Sequence, residues 1–314
     1  MCNFLIQHKI KLSVLTGLML LSNIGFSQDI FVSPHGNDSG NGSKKNPYAT
    51  IERALKAIAG PGKYQATINL RGGTYRINHT IKIDSALSNV VIQAYRKEKV
   101  ALFGGVNIPV ANVRPSGLSV ANDTYRKVYE VNLKEAGITN YGKIHSVGFS
   151  HPYRPSWGEI FINGKPMRLS GWPNQGMIPM GKVLDKGSIP RNKDFANQGG
   201  VIKYDSSRIN KWAKEKDAWM AGYFMLGYAD DMVKIKNIDT SKKTITTASA
   251  TMYGYGYGHP WTRWFGVNIL SELDDPGEYY IDREKGMLYF MYDDKEIKSL
   301  AFSVLESYFI FLEK

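Results

Sequence analysis

The chain has 314 residues, 43% of them hydrophobic and 12% aromatic, with 31 glycines and 19 tyrosines. That length can bury a core unaided, and the lone cysteine, Cys2, excludes a disulfide scaffold, a cysteine metal site and a cysteine nucleophile in the body of the chain. A formal charge of +12 would suit an anionic partner, but the basic residues are scattered and their densest run is Arg96-Lys97-Glu98-Lys99. The excess therefore reads as solvated surface, with an acidic glycan as a secondary reading and no nucleic-acid partner expected.

Residues 1–27 read as a signal peptide. Lys9 and Lys11 form its basic start, 12–24 its apolar stretch, and Gly25-Phe26-Ser27 puts small residues at the cleavage point. The stretch is short for a membrane span, although an N-terminal anchor is the alternative, and no later segment is apolar enough to cross a bilayer. Cys2 lies away from the cleavage point, which argues against a lipoprotein. The expectation is export to the periplasm, the cell surface or the medium.

Residues 28–105 open on Phe31-Val32-Ser33-Pro34-His35-Gly36-Asn37-Asp38-Ser39-Gly40-Asn41-Gly42, followed by Asn46-Pro47-Tyr48-Ala49-Thr50-Ile51. This is a strand, a glycine-rich loop and a helix start. Thr50 is the expected N-cap, Glu52 suits the positive helix end, and Ile51, Ala54, Leu55 and Ile58 share one face up to Gly60-Pro61-Gly62. The loop at 37–42 lacks EF-hand spacing and the Gly-Lys-Ser/Thr of a phosphate loop, so it reads as Asx-bonded turns. Short strands are expected at 67–70, 74–77, 80–83, 90–94 and 100–103. Ile68 to Ile92 is 24 residues, the length of a solenoid coil, and the helix can cover an open solenoid end.

From about residue 106 the rhythm changes to hairpins. The first spans 159–169 and turns on Asn163-Gly164, a type I′ signal; others are expected over 232–247 and 278–292. Short helices are expected near 206–213 and 268–273. We read 106–298 as an inserted antiparallel β-sandwich or barrel-like domain. The apolar run over 300–312, within 299–314, reads as the solenoid resuming.

The acidic doublets Asp230-Asp231, Asp274-Asp275 and Asp293-Asp294 are not facing pairs, because adjacent strand residues point to opposite sides; Asp275, before Pro276-Gly277, and Asp293-Asp294, past a hairpin strand, read as turn residues. The segment Tyr253-Gly254-Tyr255-Gly256-Tyr257-Gly258-His259-Pro260-Trp261-Thr262-Arg263 offers aromatic faces for sugar rings, and His259 and Arg263 offer partners for hydroxyls or a carboxylate. Trp172-Pro173-Asn174 follows the Asn-Gly hairpin and could line a groove. The candidate substrate-binding residues are thus Trp172, Asn174, Tyr255, Tyr257, His259, Trp261 and Arg263, each weighed against simple packing. The histidines have no metal-ligand spacing, and no cofactor is expected.

The segment at 31–59, Arg71-Gly72-Gly73-Thr74-Tyr75, Phe103-Gly104-Gly105, Ile162-Asn163-Gly164-Lys165, Trp172-Pro173-Asn174 and 273–282 (Leu273-Asp274-Asp275-Pro276-Gly277-Glu278-Tyr279-Tyr280-Ile281-Asp282) together resemble bacterial right-handed parallel β-helix glycoside hydrolases. The nearest type is the α-L-fucosidase and xylanase group with an inserted β domain. The resemblance implies an all-β protein: a cap helix, the first coils of a right-handed parallel β-helix, and an inserted antiparallel domain. It implies an N-terminal portion of a secreted enzyme acting on polysaccharide, monomeric, with catalytic acids in later coils than this chain contains; its catalytic residues stay unassigned. The alternatives are a polysaccharide lyase, whose basic residue and calcium arrangement is not visible, and a non-catalytic glycan-binding or surface protein.

Overall fold

A computed structural model describes residues 28–59, 66–84, 87, 89–118, 128–149, 151, 157–293, 296–303, 305 and 307–312. The expected signal segment lies outside the described residues, as does the Gly60-Pro61-Gly62 helix stop. The protein is mostly β, with several separate sheets, and among the described residues none closes into a barrel. Two compact units form, one from Met1–Gly104 with Ser307–Lys314 and the other from Gly105–Glu306.

In the first unit, β1 (Gln28–Val32) leads through the glycine-rich loop to helix α1 (Ile51–Ile58). The Thr50 side chain accepts the Arg53 amide at 3.1 Å, satisfying one orphan donor of the first turn. The Asp38 carboxylate adds bonds from the amides of Ala49 (2.8 Å) and Thr50 (2.9 Å) and from the Thr50 hydroxyl (2.9 Å). Asn37 and Asn41 accept the amides of Ser39 and Ser43, so the loop is the Asx-bonded turn expected from its composition. Ile51, Ala54 and Leu55 are buried along one face of α1.

The chain then forms β2 (Ala66–Leu70), β3 (Gly73–Arg76), β4 (Ile81–Asp84), β5 (Val90–Ala94) and β6 (Val100–Phe103). Every pairing among these strands and Phe309–Leu312 is parallel. β1 pairs β2, β2 pairs β5, β3 pairs β6, and β4 pairs Phe309–Leu312. Ile30, Ile68 and Ile92 fall in one register row. Asn69 and Gln93 share another, with a 3.2 Å bond between their side-chain amides. Tyr75 is buried, and its hydroxyl donates to the carbonyl oxygens of Val32 (2.8 Å) and Arg71 (2.7 Å); burial pushes its pKa up to about 12.

The second unit is chiefly antiparallel. Lys165–Pro166, Ile160–Ile162, Leu300–Ser303 and Gly105–Ile108 form one sheet. Arg168–Leu169, Glu278–Asp282, Met287–Met291, Val128–Asn132 and Arg114–Pro115 form a second, in which the first pair is parallel. The largest sheet runs from Gly171–Trp172 through Arg263–Val267, Trp219–Tyr223, Asp230–Asp239, Thr244–Thr247 and Val201–Lys203 to Val183–Asp185. The hairpin turn has Asn163 and Gly164 at φ 51° and 75°, the pair of positive values that a type I′ turn requires.

Two expectations need correction. Leu300–Ser303 does not pair with the parallel strands but lies antiparallel between Ile160–Ile162 and Gly105–Ile108, so only Phe309–Leu312 of the 300–312 run joins the parallel set. A strand pairs where its backbone and both neighbours' apolar faces match: Leu300 and Phe302 are buried with Ile108, Ile160 and Ile162. The expected helices are single 3-10 segments at Ser207–Lys214 and Leu270–Glu272. In the longer one, Ile209 and Trp212 are three apart, the spacing that stacks side chains on a 3-10 face, and both are buried.

Candidate functional site

A cleft of about 420 Å³ opens in the second unit. Trp157, Phe265 and Tyr279 give it aromatic walls, and Glu159, Arg168 and Asn174 give it polar ones. Strand alternation explains Phe265: its neighbour Trp264 is fully buried in the core, so Phe265 falls on the opposite face of the same strand. The Trp157–Glu159 stretch is pinned by its backbone. The Tyr279 hydroxyl donates to the Gly158 carbonyl at 2.8 Å, and Arg283 Nη2 donates to the Trp157 carbonyl at 2.8 Å. Glu159 has no ion-pair partner among the described residues.

Arg168 sits opposite Glu278 in the parallel pair, and its Nη1 donates to Glu278 Oε1 at 2.9 Å. Glu278 is fully buried and also accepts the amides of Asp274 and Asp275, both at 3.1 Å, and of Gly171 at 3.3 Å. Burial pushes its pKa up to about 7, against the pull of Arg168 and those amides. Arg168 also pairs with Asp275. A second guanidinium, Arg208, donates from Nε to Glu272 Oε2 at 2.6 Å and pairs with Asp274, while the Trp212 indole donates to Glu272 Oε1 at 2.6 Å. Asn174 Nδ2 donates to Asp274 Oδ1 at 2.9 Å. Its Oδ1 is buried without a partner among the described residues, leaving an acceptor at the cleft wall.

These acids are therefore ion-pair partners that hold the 274–277 turn, and Asp275 accepts the Glu278 amide at 3.2 Å as a turn residue should. Among the described residues no cluster of three His, Cys, Asp or Glu side chains gathers as metal ligands. Sequence reasoning missed Trp157, Glu159, Arg168, Phe265 and Tyr279. A signal existed in the Trp157 and Glu159 alternation before the Asn-Gly hairpin, but only the fold brings that segment to Phe265 and Tyr279.

The sequence-derived residues divide. Asn174 lines the cleft. Trp172 does not: it packs edge-on to Trp212 at 6.2 Å, with the Arg208 guanidinium 5.8 Å from its ring. Tyr255 must be withdrawn as a sugar contact. It is fully buried, its hydroxyl donates to Thr247 Oγ1 at 2.9 Å, and its ring packs on Phe224. Tyr257 is exposed. Trp261 is half exposed, stacked on His259 at 4.8 Å and 6°, and its Nε1 donates to the Met225 carbonyl at 3.2 Å. Arg263 is exposed and folds back, donating from Nε to the Pro260 carbonyl at 2.7 Å. Trp261 lies in a turn that precedes the Arg263–Val267 strand, so Trp261 and Arg263 do not share one extended segment.

No known family model matches the sequence, and no curated protein does. Among solved structures, a glycoside hydrolase superposes with a TM-score of 0.58 over 91% of this chain and 48% of its own, at 17% identity. The likeness is one of fold. The chain spans about half the length of that enzyme. A complex of XylC with xylose also aligns, at 14% identity over 91% of this chain and 33% of its own, but its TM-score of 0.36 is too loose to speak to fold.

Proposed function

We propose that this glycoside-hydrolase-like chain belongs to an exported enzyme acting on polysaccharide. In this reading the first unit begins a right-handed parallel β-helix and the second is an inserted β domain that holds a saccharide. Support for the β-helix comes from the strand order. β2, β3 and β4 pair parallel with β5, β6 and Phe309–Leu312 in the same sequence, as three faces of two successive coils would, with the second unit inserted after β6.

The observation that carries the saccharide reading is the lining of the cleft. Rings of Trp157 and Phe265, both partly exposed, suit the apolar faces of a pyranose, and Glu159 and Asn174 suit its hydroxyls, while the buried Tyr279 backs the wall. Arg168 is already neutralised by Glu278 and Asp275, so a neutral sugar fits this cleft better than an acidic one. The engagement of Glu272, Asp274, Asp275 and Glu278 with arginines favours binding over bond cleavage as the role of the second unit.

Titration of the chain from residue 28 with neutral xylo-, gluco- and manno-oligosaccharides, followed by calorimetry, tests this. At least one should bind, and Phe265→Ala and Asn174→Ala should each weaken it about 5- to 150-fold. Absence of binding across the panel, or unchanged affinity in both variants, overturns the reading.

A further inference from the structure

Away from the cleft lining, the second unit carries exposed rings around the 225–229 turn. Phe149 and Tyr228 are 53% and 64% exposed, unusual for side chains of that size. Phe149 lies 5.7 Å from Tyr228 and 5.9 Å from Tyr253, and Tyr228 lies 6.2 Å from Tyr253, so the three rings form one cluster. The same turn seats Trp261, through the bond to the Met225 carbonyl, and with it the stacked His259. Packing does not explain this: a core would bury these rings, as it buries Tyr255 and Phe224 nearby.

One exposed cation lies beside the cluster. The Arg191 amide donates to the Met252 carbonyl at 3.1 Å, which places Arg191 next to Tyr253. Its side chain is exposed and has no carboxylate partner among the described residues. Asp231, beneath Phe149, is buried and lies 3.2 Å from His151 Nδ1, so it adds little to the surface field. Asp230 is exposed on the same edge, which makes the patch mixed, and selectivity for an anion must come from Arg191 itself.

We propose that this aromatic cluster with Arg191 is a second saccharide-binding surface, one that takes uronate-bearing glycans. The C–H faces of successive sugars would stack on Tyr228, Phe149 and Trp261, and the planar guanidinium of Arg191 would take a uronate carboxylate in two parallel hydrogen bonds. The net charge of +12 favours the approach of such a polyanion without fixing where it binds.

The test uses the chain from residue 28, a galacturonic-acid hexamer, and the same hexamer with its carboxylates reduced to alcohols. The acidic hexamer should bind about tenfold or more tightly than the reduced one, the span of one charge-assisted hydrogen bond. Arg191→Gln should abolish that preference, and Tyr228→Ser should weaken both ligands, with melting temperatures unchanged. Phe265→Ala, in the cleft, should leave acidic-hexamer binding intact, which separates this surface from the cleft reading. Equal affinity for the two hexamers, no binding by the parent, or indifference to both Arg191→Gln and Tyr228→Ser overturns the proposal. Loss of the acidic hexamer through Phe265→Ala would place it in the cleft and overturn the proposal as well.

Discussion

Arg168 and Glu278 face each other across the one parallel strand pair of their sheet, 2.9 Å apart, with the carboxylate fully buried and the guanidinium partly exposed. The pair ties the strand beside the cleft to the turn that carries Asp274 and Asp275. Removing one partner leaves the other charge in an apolar setting. Arg168→Met should therefore cost about 3 kcal/mol, the low end of the range for a broken buried pair because Arg168 is partly solvated. The double variant Arg168→Met with Glu278→Gln should recover much of that loss, because it removes the buried charge and keeps a side-chain oxygen for the amides of Asp274 and Asp275. Urea unfolding of the parent and the two variants checks this, and a double variant no better than the single would contradict it.

Glu278 also sets a pH dependence. Its pKa is about 7 in the folded chain against a reference value of 4.5, so folding takes up a proton between those values. The stability linked to the protonated form is fully present below the unfolded value and is lost as pH rises through about 7. Stability should thus fall by up to about 3 kcal/mol between acid and mildly alkaline pH, and Glu278→Gln should flatten the curve. Burial also raises Asp231, which acts in the same direction, so Glu278→Gln leaves a residual slope that Asp231→Asn reduces further. Denaturant midpoints across this window provide the measurement.

Asp38 is the hub of the first unit's loop, accepting two amides and a hydroxyl at the start of α1. Asp38→Ala should destabilise that unit by about 1–2 kcal/mol, as loss of a helix cap does. Amide exchange at Ala49 and Thr50 should quicken in this variant before the chain unfolds globally.

Tyr255 and Trp261 should respond in opposite ways although both belong to one aromatic run. Tyr255→Ala opens a cavity in a closed core and should cost about 3–5 kcal/mol. Trp261→Ala removes a half-exposed ring and should cost under about 1 kcal/mol. Thermal melts of the two variants distinguish them, and a comparable loss in both would return Trp261 to the core.

Local chemistry carried much of what the sequence revealed. The α1 helix, its Thr50 cap and the Asn163-Gly164 turn each depend on residues within a few positions, so they are legible in order. The mostly β character follows from short β-branched and aromatic runs between turn residues in the same way. The cleft is different. Arg168 meets Asp275 across 107 residues and Arg208 meets Asp274 across 66, and no local pattern marks such partners. Burial of Tyr255 beside exposed Tyr257 is likewise decided by which strands close over it, since alternating tyrosines and glycines read the same whichever face is covered. Residues 300–303 are apolar and β-forming, and would suit either a parallel or an antiparallel neighbour. Only the packing of Leu300 and Phe302 against Ile108 and Ile160 chose between them, because strand pairing is settled by the fit of faces brought together from distant parts of the chain.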